Sequence, residues 1–239
     1  MKTFRTTRGP FTERPHFEEK DVETICLDEL SKVDLLPPTP APVRIDRFIE
    51  KRFRVTVEPF DLKDGILGFT EFGANGVCGV YVSRSLDDDK SKSAQRRVRS
   101  TIAHEAGHCL LHAYLFALQG SSAQGSQHLF GDFTDPGAPK ILCRGDAVES
   151  VAKPNYTGEW WEFQANMAMG HLLMPRALVV QAVKPYITSV GSLGATTVAA
   201  GQFDEAVRHL AEVFDVNPAL ARIRLEKIYT PKHDRQLVL

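Results

Sequence analysis

Apolar residues recur at helical spacing in some stretches of the chain and alternate with polar ones in others. Val22, Ile25, Cys26 and Leu30 form a stripe that predicts a helix over 19–33. The Leu36–Pro42 segment, Leu-Pro-Pro-Thr-Pro-Ala-Pro, stops it and reads as an extended linker. A short helix is expected over 46–51, then strands at 52–59, 66–72 and 77–83, the last two spaced as a hairpin around Gly73-Ala-Asn-Gly76. Val98, Ile102, Ala106, Cys109, Leu110, Ala113 and Phe116 recur at three and four, so 94–118 should be a helix with one buried face. Residues 120–157, rich in Gly, Ser, Asp and Pro, read as a long excursion able to shape a cleft. A second strong helix is expected over 159–174, ended by Pro175, and two amphipathic helices near 202–214 and 218–228.

This pattern gives an α+β fold: a small, mostly antiparallel sheet from residues 52–83 against the 94–118 and 159–174 helices, with helices at the C-terminal end. Val77–Ser83 is the expected edge strand beside a substrate cleft. The organisation read is a flexible lead-in at 1–18, a main domain at 19–185 with a long loop at 119–157, and a helical C-terminal extension at 186–239.

Composition narrows the function classes without choosing one. A net charge of −1 over 239 residues gives no electrostatic reason for nucleic acid or an acidic membrane surface. No apolar run approaches the roughly 18 residues of a membrane span, and the N-terminus lacks the apolar centre of a signal peptide, so a cytoplasmic location is expected. Cys26, Cys78, Cys109 and Cys143 form no Cys-x-x-Cys pair and read mostly as small buried side chains.

The chemistry lies in His104-Glu105-Ala106-Gly107-His108. Positions four apart share a helix face, so two imidazoles so placed can bind one Zn²⁺, and the glutamate beside the first can act as general base. A catalytic zinc takes three protein ligands and keeps one position open. His112 continues the stripe, but it lies about 12 Å along the axis from His104, too far for one ion with bonds of about 2 Å. A carboxylate on the 159–174 helix is the better third donor, and both Glu159 and Glu162 lie there.

Arg99-Ser-Thr-Ile-Ala-His-Glu-Ala-Gly-His108 with Leu110-Leu-His112, followed by Glu162-Phe-Gln-Ala-Asn166 and Leu172-Leu-Met-Pro175, resembles the ImmA/IrrE family of zinc metallopeptidases. The resemblance spans roughly residues 20–180, and Ile141-Leu-Cys-Arg144 fits a branch with a longer loop between the motifs. Ala106, Ser100 and Met167-Ala-Met169 depart from the family pattern at packing positions. The resemblance implies metal ligation by His104, His108 and Glu162, with zinc or manganese as the cation. It also implies Glu105 as general base and a cytosolic endopeptidase whose protein substrate is a separate helix-turn-helix repressor. Tyr156, His128 and His171 are the candidate oxyanion donors. Asn166 reads as a helix-packing hydrogen bonder, and Trp160 and Trp161 as anchors of the second helix.

A different class of function comes from residues 206–227, which have the look of helix, turn, helix and would make the chain a DNA-binding module or a non-proteolytic metal-dependent regulator. Against that, Asp204, Glu205, Glu212 and Asp215 dilute Arg208, Arg222, Arg224 and Lys227, leaving no dominant basic face.

Overall fold

The computed structural model describes residues 2–5, 13–73, 76–115, 140–144, 160–190, 195–199 and 201–229. Strands β1 (Lys2–Arg5) and β2 (Glu13–His16) pair antiparallel as a ribbon within the segment read as a lead-in. Helix α1 (Glu19–Lys32) follows, opened by a reciprocal capping box between Glu18 and Asp21, and then α2 (Ile45–Phe53). Strands β3 (Val57–Phe60), β4 (Ile66–Gly73) and β5 (Gly76–Ser83) lead through a short α3 (Arg84–Asp88) to α4 (Lys92–Leu111). After β6 (Lys140–Arg144) come α5 (Trp160–Leu173) and α6 (Arg176–Ala182). A second ribbon, β7 (Ile187–Val190) with β8 (Ala195–Val198), precedes α7 (Phe203–Val213) and α8 (Pro218–Tyr229).

The α+β class is as expected, with sheet order β3-β5-β4-β6. The β4–β5 hairpin is antiparallel and so is β4–β6, while β3 runs parallel to β5. Three expectations are corrected. Arg52 and Phe53 close α2, so the strand expected over 52–59 is only Val57–Phe60. Val77–Ser83 is not an edge: β5 is enclosed between β3 and β4, and among the described residues the edges are β3 and β6. Residues 140–144, inside the stretch read as a loop, supply that last strand.

One face of the sheet packs on α4. Val80 and Val82 turn toward the helix and join a core with Ile102, Ala103 and Ala106. Two glycines allow the closest approaches around α4. A Cβ on Gly68 of β4 would sit 2.7 Å from Thr101 Cγ2 and from the Tyr81 carbonyl oxygen. A Cβ on Gly107 would sit 2.8 Å from the Ala165 carbonyl oxygen and 2.9 Å from its Cα. So α4 is held tightly between β4 and α5.

Ser91 caps α4 by accepting from the Ala94 amide at 3.2 Å, and the helix closes at His112, which leaves helical dihedrals (φ −124°, ψ −15°). A turn at His112 thus interrupts the helix expected over 94–118, residues 113–115 are helical again, and Phe116 to Leu118 lie outside the described residues. Helix α5 is buried on nearly every side, from Trp160 to Leu173. Its C-terminal end is closed from α8: Arg224, itself buried, donates to the Met174 carbonyl at 3.0 Å. Residues of α7 and α8, among them Leu210, Phe214 and Leu225, share the core cluster with α1, α4 and α5. Among the described residues no helix is long and apolar enough to cross a membrane.

Candidate metal centre

The helical repeat puts His104 and His108 on the face of α4 that meets α5, and Glu162 stands on the first turn of α5 opposite them. His104 Nε2 lies 3.0 Å from Glu162 Oε2 and 3.0 Å from His108 Nε2, and His108 Nε2 is 3.3 Å from Glu162 Oε1. All three side chains are buried or nearly so. Of the two carboxylates that the sequence offers as third donor, Glu162 is thus in place, while Glu159 lies outside the described residues.

The ring protons follow from the far side of each imidazole. His104 Nδ1 is 3.0 Å from Asn166 Oδ1, an acceptor, so Nδ1 carries hydrogen there. On the other ring the deduction starts from Pro15. Its carbonyl can only accept, so the Gln164 amide nitrogen donates to it at 2.8 Å, and Gln164 Oε1 faces His112 Nε2 at 3.0 Å. His112 therefore donates from Nε2 and accepts at Nδ1, and its neighbour at 3.0 Å, His108 Nδ1, must donate. With both Nδ1 atoms protonated, a neutral His104 and a neutral His108 each present a bare Nε2 to Glu162.

Three electron-pair donors thus crowd a buried point. Without a cation, a single proton between His104 and Glu162 can relieve one contact only, and the two Nε2 atoms still face each other. One divalent ion satisfies all three. Bonds of about 2.0–2.1 Å in tetrahedral geometry place donor atoms ~3.3 Å apart, close to the separations found. The donor set, two imidazoles and one carboxylate, suits zinc, and the residues present fit the group.

Electrostatics agree with this arrangement. Burial lowers the His108 pKa against the pull of Glu162, and burial, the largest cause, pushes His112 down to about 3, with any charge on His108 acting in the same direction, so both rings are favoured in their neutral forms. Burial opposes ionisation of Glu162, but in the metal-free site the charge and hydrogen bonds of His108 and His104, once an imidazole takes a proton at Nε2, outweigh it and hold the carboxyl well below the usual range; a cation bound there would take over that role.

Glu105 stands one residue from His104 and is wholly buried. Thr70 of β4 donates to its Oε2 at 2.5 Å, while Oε1 has no hydrogen-bond partner among the described residues. Burial raises its pKa to about 8, countered in part by His104 and the Thr70 hydroxyl. A carboxyl with one oxygen fixed and the other unengaged is suited to take up and return a proton near neutral pH.

Of the candidate oxyanion donors, Tyr156 and His128 lie outside the described residues. His171 is elsewhere. Nine residues beyond Glu162, about 13 Å along the helix axis, it accepts from Arg224 at Nδ1 (3.1 Å) and has Nε2 4.0 Å from Glu19.

Sequence reasoning missed Thr70 and Gln164 and gave Asn166 only a packing role. Asn166 carried a signal, since it shares a helix face with Glu162 four residues earlier. Thr70 carried none: threonine is an ordinary strand residue. No family model matches this chain, and no curated protein matches it as a relative.

Proposed function

We propose that this chain is a zinc-dependent peptide hydrolase of the ImmA/IrrE kind, with His104, His108 and Glu162 as metal ligands and Glu105 as general base. The observation that carries the metal reading is the meeting of two bare Nε2 atoms and one carboxylate at 3.0–3.3 Å, each ring held from behind by an acceptor. The peptidase reading rests in addition on Glu105 beside that point and on the sequence resemblance of the two helices.

A cation held there supplies Lewis acidity, lowering the pKa of water toward about 7 and polarising a scissile carbonyl. The chain's own residues do the rest. Asn166 and His112 hold the two imidazoles in their ligating tautomers. Thr70 steers the Glu105 carboxylate, whose second oxygen accepts the proton of the attacking water and then returns it to the leaving amine. The burial of Glu105 matches its proton affinity to that task.

The substrate of this reading is a separate cytosolic protein, a helix-turn-helix repressor, as the resemblance implies. The alternative, DNA binding by α7 and α8, draws less support. Arg224 is buried against Met174 and His171, and Arg222 pairs with Asp204, so two of the four basic side chains counted for that face are engaged within the fold.

Elemental analysis of three proteins tests the proposal. The parent should carry about one zinc, Glu162→Ala should lose it, and Glu105→Gln should keep it while peptide hydrolysis falls by about a thousandfold. Metal retained in Glu162→Ala removes the ligand assignment; undiminished hydrolysis by Glu105→Gln removes the base.

A further inference from the structure

Behind the His108 ring a line of hydrogen bonds leaves the metal centre and ends on the N-terminal ribbon. His108 Nδ1 meets His112 Nδ1 at 3.0 Å, His112 Nε2 meets Gln164 Oε1 at 3.0 Å, and Gln164 Nε2 donates to the Pro15 carbonyl at 2.8 Å. His112 and Gln164 are 0% and 3% exposed, so water cannot readily stand in for a lost partner. The direction of every bond is set by the last one, because a backbone carbonyl cannot donate. The ribbon is held at this spot by more than one contact: Pro15 is buried, and the Arg14 guanidinium lies 6.0 Å over the Trp160 ring on α5.

We propose that His112 and Gln164 are positioning residues that hold His108 in its metal-ligating tautomer and orientation. We also propose that the Pro15 carbonyl anchors them, so that metal binding and the docking of the N-terminal ribbon are coupled. The inference rests on the metal reading of the site. If the carbonyl leaves, Gln164 can reverse its amide and present a donor to His112. His112 must then donate from Nδ1 toward His108, which leaves His108 without its lone pair on the metal side. Coupling runs both ways by thermodynamic linkage: what tightens the metal must tighten the ribbon.

The test uses the full chain, stripped with chelator and titrated with zinc alone. Gln164→Met, which keeps length and removes both polar atoms, should weaken zinc binding about 10- to 100-fold, and so should His112→Phe. Cobalt substituted for zinc should show a shifted visible absorption in both, reporting a changed ligand at His108. In the unaltered chain, zinc should slow hydrogen exchange at the Arg14, His16 and Phe17 amides, and Gln164→Met should abolish that effect. Zinc affinity and cobalt spectrum equal to the parent's in both variants would reduce the line to packing and overturn the positioning role. Exchange in the ribbon indifferent to zinc would overturn the coupling, and this readout needs no variant to fold. Failure of the underlying site looks different: the parent takes up no zinc, or His104→Ala binds it as tightly as the parent.

Discussion

Glu105 combines two demands that oppose each other, burial and readiness to ionise, and its consequences for stability can be read with sign. Burial raises its pKa in the folded chain to about 8 from an ordinary 4.5. An unfolded chain gives up that proton first, so the folded state is fully favoured by this group below about 4.5 and loses that contribution as pH rises through about 8. Glu105→Gln removes the titration. In chelator-treated protein the variant's melting temperature should exceed the parent's by at least about 5 °C at pH 9 and by little at pH 5. Zinc should shrink the gap, because a nearby dication favours the carboxylate. A gap that is the same at both pH values would mean that Glu105 is not desolvated. The residues of the site differ in how far the sequence announces them. His104, Glu105 and His108 are fixed by spacing alone, since a helix forces them onto one turn. Gln164 could not be found that way: its partner is a backbone carbonyl 149 positions distant, and a carbonyl leaves no mark on residue choice.

Helices were more legible than strands for a related reason. The stripes of α1 and α4 repeat within a few residues, whereas β1, β2 and β6 are four or five residues each and take their pairing from distant segments. The placement of β5 in mid-sheet depends on the parallel addition of β3, which no local pattern encodes. What fixes α4 against α5 is also non-local. Gly107 sits within the motif, yet its value lies in what an added Cβ would strike, the Ala165 backbone at 2.8–2.9 Å and Ala168 Cβ at 3.1 Å. Backbone cannot give way as a flexible side chain does, so Gly107→Ala must separate the helices. That motion carries Glu162 away from both imidazoles. Zinc affinity should fall at least about tenfold and stability by about 1–3 kcal/mol, measured by chelator competition and by denaturant unfolding. Unchanged zinc affinity in a destabilised variant would mean that the metal atoms tolerate helix displacement, and the close contact would then be a matter of packing alone.

Residues 186–239 read in sequence as an extension, because a Gly-, Ser- and Thr-rich stretch precedes α7 and α8. In the folded chain those helices bury Leu210, Phe214, Leu220 and Leu225 in the cluster that also holds Ile102, Ala106 and Leu172. Polar contacts reinforce the join at both helices that carry the candidate ligands. On α4, buried Arg96 pairs with Asp215 and Glu212 at 3.0 Å and donates to the Ala211 carbonyl at 2.9 Å, while Arg99 bridges to the Val43 carbonyl and to Asp215. On α5, Arg224 closes the C-terminal end. Removing α7 and α8 would therefore expose a large apolar face, strand the buried Arg96 guanidinium and leave the Met174 carbonyl without its donor. A chain ended after residue 185 should lose cooperative unfolding and near-UV circular dichroism and bind a hydrophobic dye, the signature of secondary structure without fixed packing. Arg96→Met, which keeps the apolar contacts and removes the charge, should be milder, costing about 1–3 kcal/mol with the metal still bound. A shortened chain that melts cooperatively and retains zinc would show that residues up to 185 hold the three ligands unaided, and that α7 and α8 serve some purpose other than bracing the helices that carry them.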